Sequence, residues 1–288
     1  MQFTIVGGDL RQLYAARYLQ EKGAMVTLVG WERCPQGNLR DLHLRKSDEL
    51  ISPKTHVLLP FPAEGADETI NAPFAVEPIP IQAFLRALAP KTSVFTGKLG
   101  MTACATATEK ALCVIDYSAR EDFLVKNAIP SAEGAIQLAL EQLPRTLHNA
   151  NCLVVGYGRI GKILAAQLRG LGARVTVSAR KAADRAWIAA FGYRPLVLSP
   201  ETTGLDSFDA VFNTVPAPIL TEPILNRLRR DCLIIDLASK PGGTDFEAAK
   251  RLGLSAIHAL ALPGKVAPQT AGETVAETVL AILNEACQ

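Results

Sequence analysis

Cys152-Leu153-Val154-Val155-Gly156-Tyr157-Gly158-Arg159-Ile160-Gly161 is the stretch on which the fold turns. A β-type apolar run leads directly into G-x-G-x-x-G, and a helix pattern opens on it. Gly156 suits the tight turn, Gly158 lets a pyrophosphate approach the backbone, and Gly161 lets helix and strand pack closely. The helix N-terminus at Arg159 and Ile160 then presents backbone N–H groups to the phosphates. A second strand, Arg174 to Ser178, follows at the expected distance, so the spacing predicts a dinucleotide-binding βαβ unit.

Outward from this unit, short apolar runs at Ala210 to Asn213, Leu233 to Asp236 and Ser255 to Ala259 complete a Rossmann domain over 147–267. Upstream, Phe3 to Val6, Met25 to Val29, His56 to Leu59 and Ser93 to Thr96 alternate with helical periods at Leu13-Ala16-Leu19 and Ile81 to Leu88. They predict a flavodoxin-like α/β domain over 1–125. The stripe Ile129, Ala132, Ile136, Ala139, Leu140, Leu143, started by Pro130 and stopped by Pro144, reads as a linking helix within 126–146. Leu262 to Gly272 reads as a Pro- and Gly-rich crossing between domains. Val275, Val279, Ile282 and Leu283 form a last helix expected to return to the first domain, completing it with about 268–288. The fold class is therefore α/β, with two Rossmann-like, doubly wound parallel sheets.

Length agrees: 288 residues at about 150 per domain gives two domains. Thirty Lys+Arg against 28 Asp+Glu leaves a net charge of +2 with the signs mixed along the chain, which excludes the basic footprint of a nucleic-acid or membrane-surface binder. No apolar run reaches the roughly 18 residues of a membrane span, and no signal segment precedes the first strand, so a cytoplasmic location is expected. Six scattered cysteines without C-x-x-C and four histidines without H-x-x-x-H spacing predict reduced thiols and no metal.

The end of the second strand bears on which dinucleotide binds. An NAD site usually carries Asp or Glu there, whereas this chain has Ser178-Ala179-Arg180-Lys181. A hydroxyl and two cations suit a 2′-phosphate, so NADP is expected and NAD is possible; the alternative is that Arg180 and Lys181 are a solvated helix start. Thr214-Val215-Pro216 and Asp236-Leu237-Ala238-Ser239 fall at strand carboxyl ends, where they are expected to wall the cofactor, although the same residues suit ordinary tight turns. Pro263 and Gly264 in the crossing segment are placed beside it.

In the first domain, Gly8-Asp9-Leu10-Arg11-Gln12 follows the opening strand like a glycine turn without its third glycine. Arg11 falls in a first helical turn, where the dipole disfavours a cation, and so points to an anionic partner or to solvent. Arg120 on a loop is a candidate carboxylate clamp or a surface arginine. Glu133, two residues after Ser131, completes no capping box and reads as an acid/base candidate or a first-turn carboxylate. His258 ends a strand and stays outside the catalytic set.

These segments together resemble the family of dipicolinate synthase A-type subunits: Gly7-Gly8-Asp9-Leu10-Arg11-Gln12, Asn127-Ala128-Ile129-Pro130-Ser131-Ala132-Glu133-Gly134, the Gly156 fingerprint, Asp236-Leu237-Ala238-Ser239, Pro241-Gly242-Gly243-Thr244-Asp245-Phe246, and Leu262-Pro263-Gly264. The resemblance runs nearly end to end. It implies an architecture like that of the D-2-hydroxyacid dehydrogenases and a nicotinamide cofactor. It also implies the flavoprotein-like B-type subunit of dipicolinate synthase as partner, self-association as well, and the mother cell of a spore-forming bacterium as location. The implied reaction converts 4-hydroxy-tetrahydrodipicolinate, a lysine-pathway intermediate, to dipicolinate. The arginine that the hydroxyacid dehydrogenases place after their fifth strand is absent, since Ala238 is followed by Ser239 and Lys240, and their Glu and His have no clear match. Under this resemblance Arg11 and Arg120, with Gly8 and Gln12, are expected to bind the dicarboxylate, and Asp9 and Glu133 to exchange protons. An NADP-dependent 2-hydroxyacid or imine reductase and an NADP-binding scaffold for a catalytic partner are the alternatives.

Overall fold

The computed structural model describes residues 1–286 except 36, 38, 40, 46–54 and 66. The chain divides into two compact units, one made of Met1–Lys126 and Ala267–Gln288, the other of Asn127–Val266.

The first unit runs β1 (Gln2–Val6), α1 (Leu10–Glu21), β2 (Met25–Val29), β3 (His43–Arg45), β4 (His56–Leu58), α2 (Ile81–Ala87), β5 (Ser93–Thr96), α3 (Met101–Glu109) and β6 (Cys113–Asp116). All six strands are parallel, in the order β3-β2-β1-β4-β5-β6. Alternate residues serve opposite faces. Phe3, Ile5, Leu28, Leu58 and Phe95 join one core cluster with Leu13, Ala16 and Val275, while Val6, Val29, Val57 and Val94 join another with Leu85 and Ala103. Each such side chain, once fully buried, contributes about 1.5–3 kcal/mol. The last helix, α10 (Pro268–Ala286), lies against α1, and a Cβ on Gly272 would fall 2.2 Å from the Arg11 carbonyl oxygen. The expected return of this helix is observed.

The helix predicted to start at Pro130 starts instead at Glu121 and runs to Gln142 as α4, with Pro130 inside it. Glu121 and Asp122 supply the first-turn acids that favour a helix N-terminus, and burial of Ala132, Ala135, Ile136 and Ala139 carries the helix past the proline. Glu133 is thus an exposed residue deep in the helix, not a first-turn carboxylate.

The second unit continues with β7 (Asn151–Val155), α5 (Arg159–Gly170), β8 (Arg174–Ser178), α6 (Ala182–Ala190), β9 (Arg194–Leu196), β10 (Ala210–Asn213), α7 (Glu222–Leu225), β11 (Leu233–Asp236), α8 (Phe246–Arg251), β12 (Ser255–His258) and α9 (Leu262–Val266). Its parallel sheet has the order β12-β11-β10-β7-β8-β9. Both sheets reverse direction beside their first strand, β1/β4 and β7/β10, where open sheets bind ligands. Leu262–Val266 is a short helix rather than open crossing chain, because Leu262 packs on Gly134, whose Cβ would approach Leu262 Cβ to 3.0 Å. Below the sheet, buried Asp209 accepts from Arg145 (2.6 Å), Arg229 (2.8 Å) and the Asn151 N–H (2.8 Å), tying three segments to one carboxylate. Among the described residues no helix is long and apolar enough to cross a membrane.

Candidate functional site

At the β7/β10 reversal, Gly156 has φ +100°, and a Cβ there would fall 2.5 Å from Thr214 Oγ1. A Cβ on Gly161 would fall 2.2 Å from the Gly156 carbonyl oxygen, so turn and helix touch at van der Waals limits. At Gly158, by contrast, an added Cβ meets nothing within 4 Å. Gly158 is the N-cap of α5, with no side-chain cap and no acid in the first turn. Space above an uncapped helix N-terminus is what a pyrophosphate requires, and this cradle fits a dinucleotide.

A pocket of about 360 Å³ opens beside the turn, with Gly156, Ser178, Arg180 and Lys181 on one side and Val215, Ala217 and Ile219 on the other. Arg180 and Lys181, just past the end of β8, are exposed and line the pocket. Two residues that the sequence pattern does not single out also belong here. Asp184, from the first turn of α6, lines the pocket. Arg185 donates through Nη1 to the carbonyls of Ala179 and Arg180 and so fixes the backbone that carries the two cations.

Several expected cofactor residues act behind the pocket wall. Thr214 donates its hydroxyl to the Val155 carbonyl (2.9 Å), locking β10 to the glycine turn. Asp236 is fully buried, and its carboxylate accepts from Asn213 Nδ2 (3.0 Å), the Ala238 N–H (2.9 Å) and the Gly243 N–H (2.9 Å). Asn213 in turn donates to the Val215 carbonyl and accepts from its N–H, both at 3.1 Å. Asp236 therefore shapes the loops after β10 and β11 instead of facing the pocket. Pro216, Ala238, Ser239, Pro263 and Gly264 are not among the pocket's lining residues; Ala238 and Pro263 are buried and Ser239 is exposed. His258 bonds the Ala238 carbonyl (2.9 Å) and stacks on Phe246 at 5.1 Å, a structural placement.

In the first unit, Gly8 has φ +96° and donates its N–H to the Asn71 carbonyl (2.7 Å). Asp9 is the N-cap of α1 and accepts from the Arg11 N–H (3.0 Å). The same carboxylate receives the Arg11 guanidinium, Nε to Oδ1 at 2.9 Å and Nη2 to Oδ2 at 2.8 Å, while Nη2 also donates to the Phe61 carbonyl (2.7 Å). The anionic partner that the helix dipole called for is therefore Asp9, and Arg11 keeps Nη1 without a bond among the described residues. Both oxygens of Asp9 are engaged, which makes it an orienting group for Arg11.

Gln12 is wholly buried beneath Gly8, whose Cβ would fall 2.5 Å from Gln12 Oε1, and neither amide atom has a hydrogen-bond partner among the described residues. The Tyr117 hydroxyl donates to the Leu59 carbonyl (3.1 Å), and burial pushes this phenol's pKa up. Arg120, expected as a second clamp, is engaged elsewhere: it donates to Asp122 (3.0 Å) and Glu285 (2.6 Å), joining the first turn of α4 to α10. Its guanidinium holds both carboxyls below the usual carboxylate range. The short D-x-R and R-x-D spacings carry the Asp9–Arg11 and Arg120–Asp122 pairs in the sequence, but not the pair with Glu285.

Comparison with known proteins adds the lineage. Residues 2–118 match the model of the N-terminal domain of the dipicolinate synthase A-type subunit. Over 293 aligned residues the chain is 31% identical to the A-type subunit of dipicolinate synthase from Bacillus subtilis (strain 168), covering 99% of this chain and 96% of that protein. The chain belongs to the family of dipicolinate synthase A-type subunits. The crystal structure of the corresponding dipicolinate synthase subunit from Bacillus halodurans superposes with a TM-score of 0.88 at 32% identity, covering 98% of this chain and 97% of that one. A transhydrogenase from Sinorhizobium meliloti, 15% identical with a TM-score of 0.73 and coverages of 98% and 94%, shares the fold. The A-type subunits of dipicolinate synthase thus carry a Rossmann architecture common to dehydrogenase-like proteins, and their designation implies a partner subunit.

Proposed function

We propose that this chain is the NADP-dependent subunit of a dipicolinate synthase, acting with a flavoprotein-like second subunit in the cytoplasm of a sporulating mother cell. The substrate is 4-hydroxy-tetrahydrodipicolinate drawn from the lysine pathway. Loss of its 4-hydroxyl as water gives a dihydropyridine, from which one hydride and one proton must leave to reach the aromatic pyridine dicarboxylate. NADP, when bound, supplies the hydride acceptor. The observation that carries the reading is the open glycine cradle beside Arg180 and Lys181, which suits a dinucleotide bearing a 2′-phosphate.

The protein's own task is binding and orientation, since aromatisation supplies the drive. Arg180 and Lys181 neutralise the phosphate, and the α5 N-terminus takes the pyrophosphate. In the first unit Arg11, held by Asp9 and the Phe61 carbonyl, offers Nη1 to a substrate carboxylate. Gly8 and Gln12 shape the ground beneath it. Engagement of both Asp9 oxygens by Arg11 favours a second reading, in which this chain binds NADP and substrate while proton transfer belongs to the partner.

The test is NADPH formation, followed by its near-ultraviolet absorbance, when the purified chain meets NADP and freshly condensed substrate with and without the second subunit. Reduction accompanied by the ultraviolet spectrum of dipicolinate is the expected result. NADP binding without turnover in any combination would remove the oxidative assignment.

A further inference from the structure

Helix α6 buries Ile188 and turns the rest of its apolar residues to solvent. Ala182, Ala183, Ala186, Trp187, Ala189 and Ala190 are exposed, as is Phe191 at the C-cap, while the helix's two charged residues are half-buried. Asp184 lines the dinucleotide pocket, and Arg185 is tied to the Ala179 and Arg180 carbonyls. Trp187 and Phe191 are 60% and 53% exposed and stack with ring centroids 5.8 Å apart. A surface helix ordinarily has the opposite arrangement. A contiguous apolar surface built of alanines and two large rings allows close approach of a partner backbone and carries the residue type that dominates binding hot spots.

Charge decides between occupants. From Ser178 to Val197 the sequence holds Arg180, Lys181, Arg185 and Arg194 against one acid, Asp184; under the reading above Arg180 and Lys181 belong to the cofactor phosphate, and Arg185 belongs to the Ala179 and Arg180 carbonyls. Arg194 is left exposed, and Arg169 of α5, also exposed, reaches over to donate to the Phe191 carbonyl. A second copy docked here about a two-fold axis would set these cations against themselves. A different protein with an apolar groove rimmed by carboxylates meets no such penalty. We propose that the exposed face of α6 is the docking surface for the partner subunit, which presents that groove. The proposal rests on the reading above that a second subunit completes the enzyme.

The test titrates the purified full-length chain with the second subunit of dipicolinate synthase and follows the mixed complex by size exclusion with light scattering, at low and high salt. Trp187→Ala weakens the complex by roughly tenfold or more, Trp187→Glu with Phe191→Glu abolishes it, and salt weakens it further. Arg194→Glu weakens association without touching the apolar face, which keeps the test open if the double variant folds poorly. NADP affinity and melting temperature of Trp187→Ala stay at the wild-type level. A double variant that still binds the partner like wild type overturns the proposal. So does a wild-type chain that dimerises through this face alone, or one captured by phosphatidylglycerol vesicles through Trp187. Turnover that requires the partner while the complex survives the double variant defeats the docking surface only. Turnover without the partner, and no complex, defeats the two-subunit reading as well.

Discussion

Asp9 and Arg11, two residues apart at the start of α1, form a bidentate pair in which one carboxylate both caps the helix and holds the guanidinium, Nε to Oδ1 at 2.9 Å and Nη2 to Oδ2 at 2.8 Å. The Arg11 side chain is 8% exposed and that of Asp9 31%. Removing the carboxylate therefore removes a cap, worth about 1 kcal/mol, and leaves a largely buried cation without its counter-charge. Asp9→Ala is expected to lower stability by roughly 2–4 kcal/mol in urea unfolding. A loss under about 0.5 kcal/mol would show that solvent replaces Asp9 at no cost.

Arg11→Leu, at the other member of the pair, tests binding apart from stability. If Nη1 anchors a substrate carboxylate, KM for the dicarboxylate rises by about tenfold or more while NADP affinity is unchanged. An unchanged KM in a folded variant would take Arg11 out of the substrate site.

Gly158 and Gly161 are three residues apart in one motif and are expected to fail differently. A methyl at Gly158 meets nothing within 4 Å, so Gly158→Ala folds with a near wild-type melting temperature but fills the phosphate space and loses NADP affinity. A methyl at Gly161 falls 2.2 Å from the Gly156 carbonyl, so Gly161→Ala loses stability as well. Thermal melting with and without NADP distinguishes them. Equal affinity for NADP in Gly158→Ala and wild type would place the dinucleotide elsewhere.

These glycines show what the sequence made legible. Strand, turn and helix around Gly156 are readable because local spacing sets them, and the same holds for the strand from Met25 to Val29, whereas the return of the last helix follows only from the two-domain arrangement. β3 and β9 escaped because edge strands lack buried alternation: His43, Leu44 and Arg45 are all exposed, and β9 contains Pro195. The start of α4 is not legible because Pro130 reads locally as a first-turn proline, a start signal that the buried face of the longer helix overrides. Side-chain partnerships were the least legible. Arg120 reads in the sequence as an available clamp, whereas α10, distant in sequence by 165 residues, brings Glu285 to it.

Arg180 and Lys181 make the cofactor choice testable. Replacing both with Ser is expected to weaken NADP binding by roughly tenfold to a hundredfold and to shift NAD binding less than about threefold, with the NADP effect shrinking as salt rises. Isothermal titration of each dinucleotide decides the point. An equal loss for both would mean that the cations meet the shared pyrophosphate.

His56 supplies a pH dependence that is independent of the site. Its ring lies 5.3 Å from that of Phe3 and 5.9 Å from that of Phe95, and burial, with the chain's N-terminal charge, lowers its pKa from the usual 6.5. The unfolded chain then binds this proton more readily than the folded one, so stability rises with pH across the interval between the two pKa values. The contribution is fully present above 6.5 and is lost as pH falls through the lower folded value. Melting temperature measured from neutral pH downward is expected to fall, and the fall below pH 6.5 is expected to be smaller in His56→Gln, which keeps the polarity and cannot take the proton. Parallel curves for the two proteins in that window would mean that other groups carry the acid sensitivity.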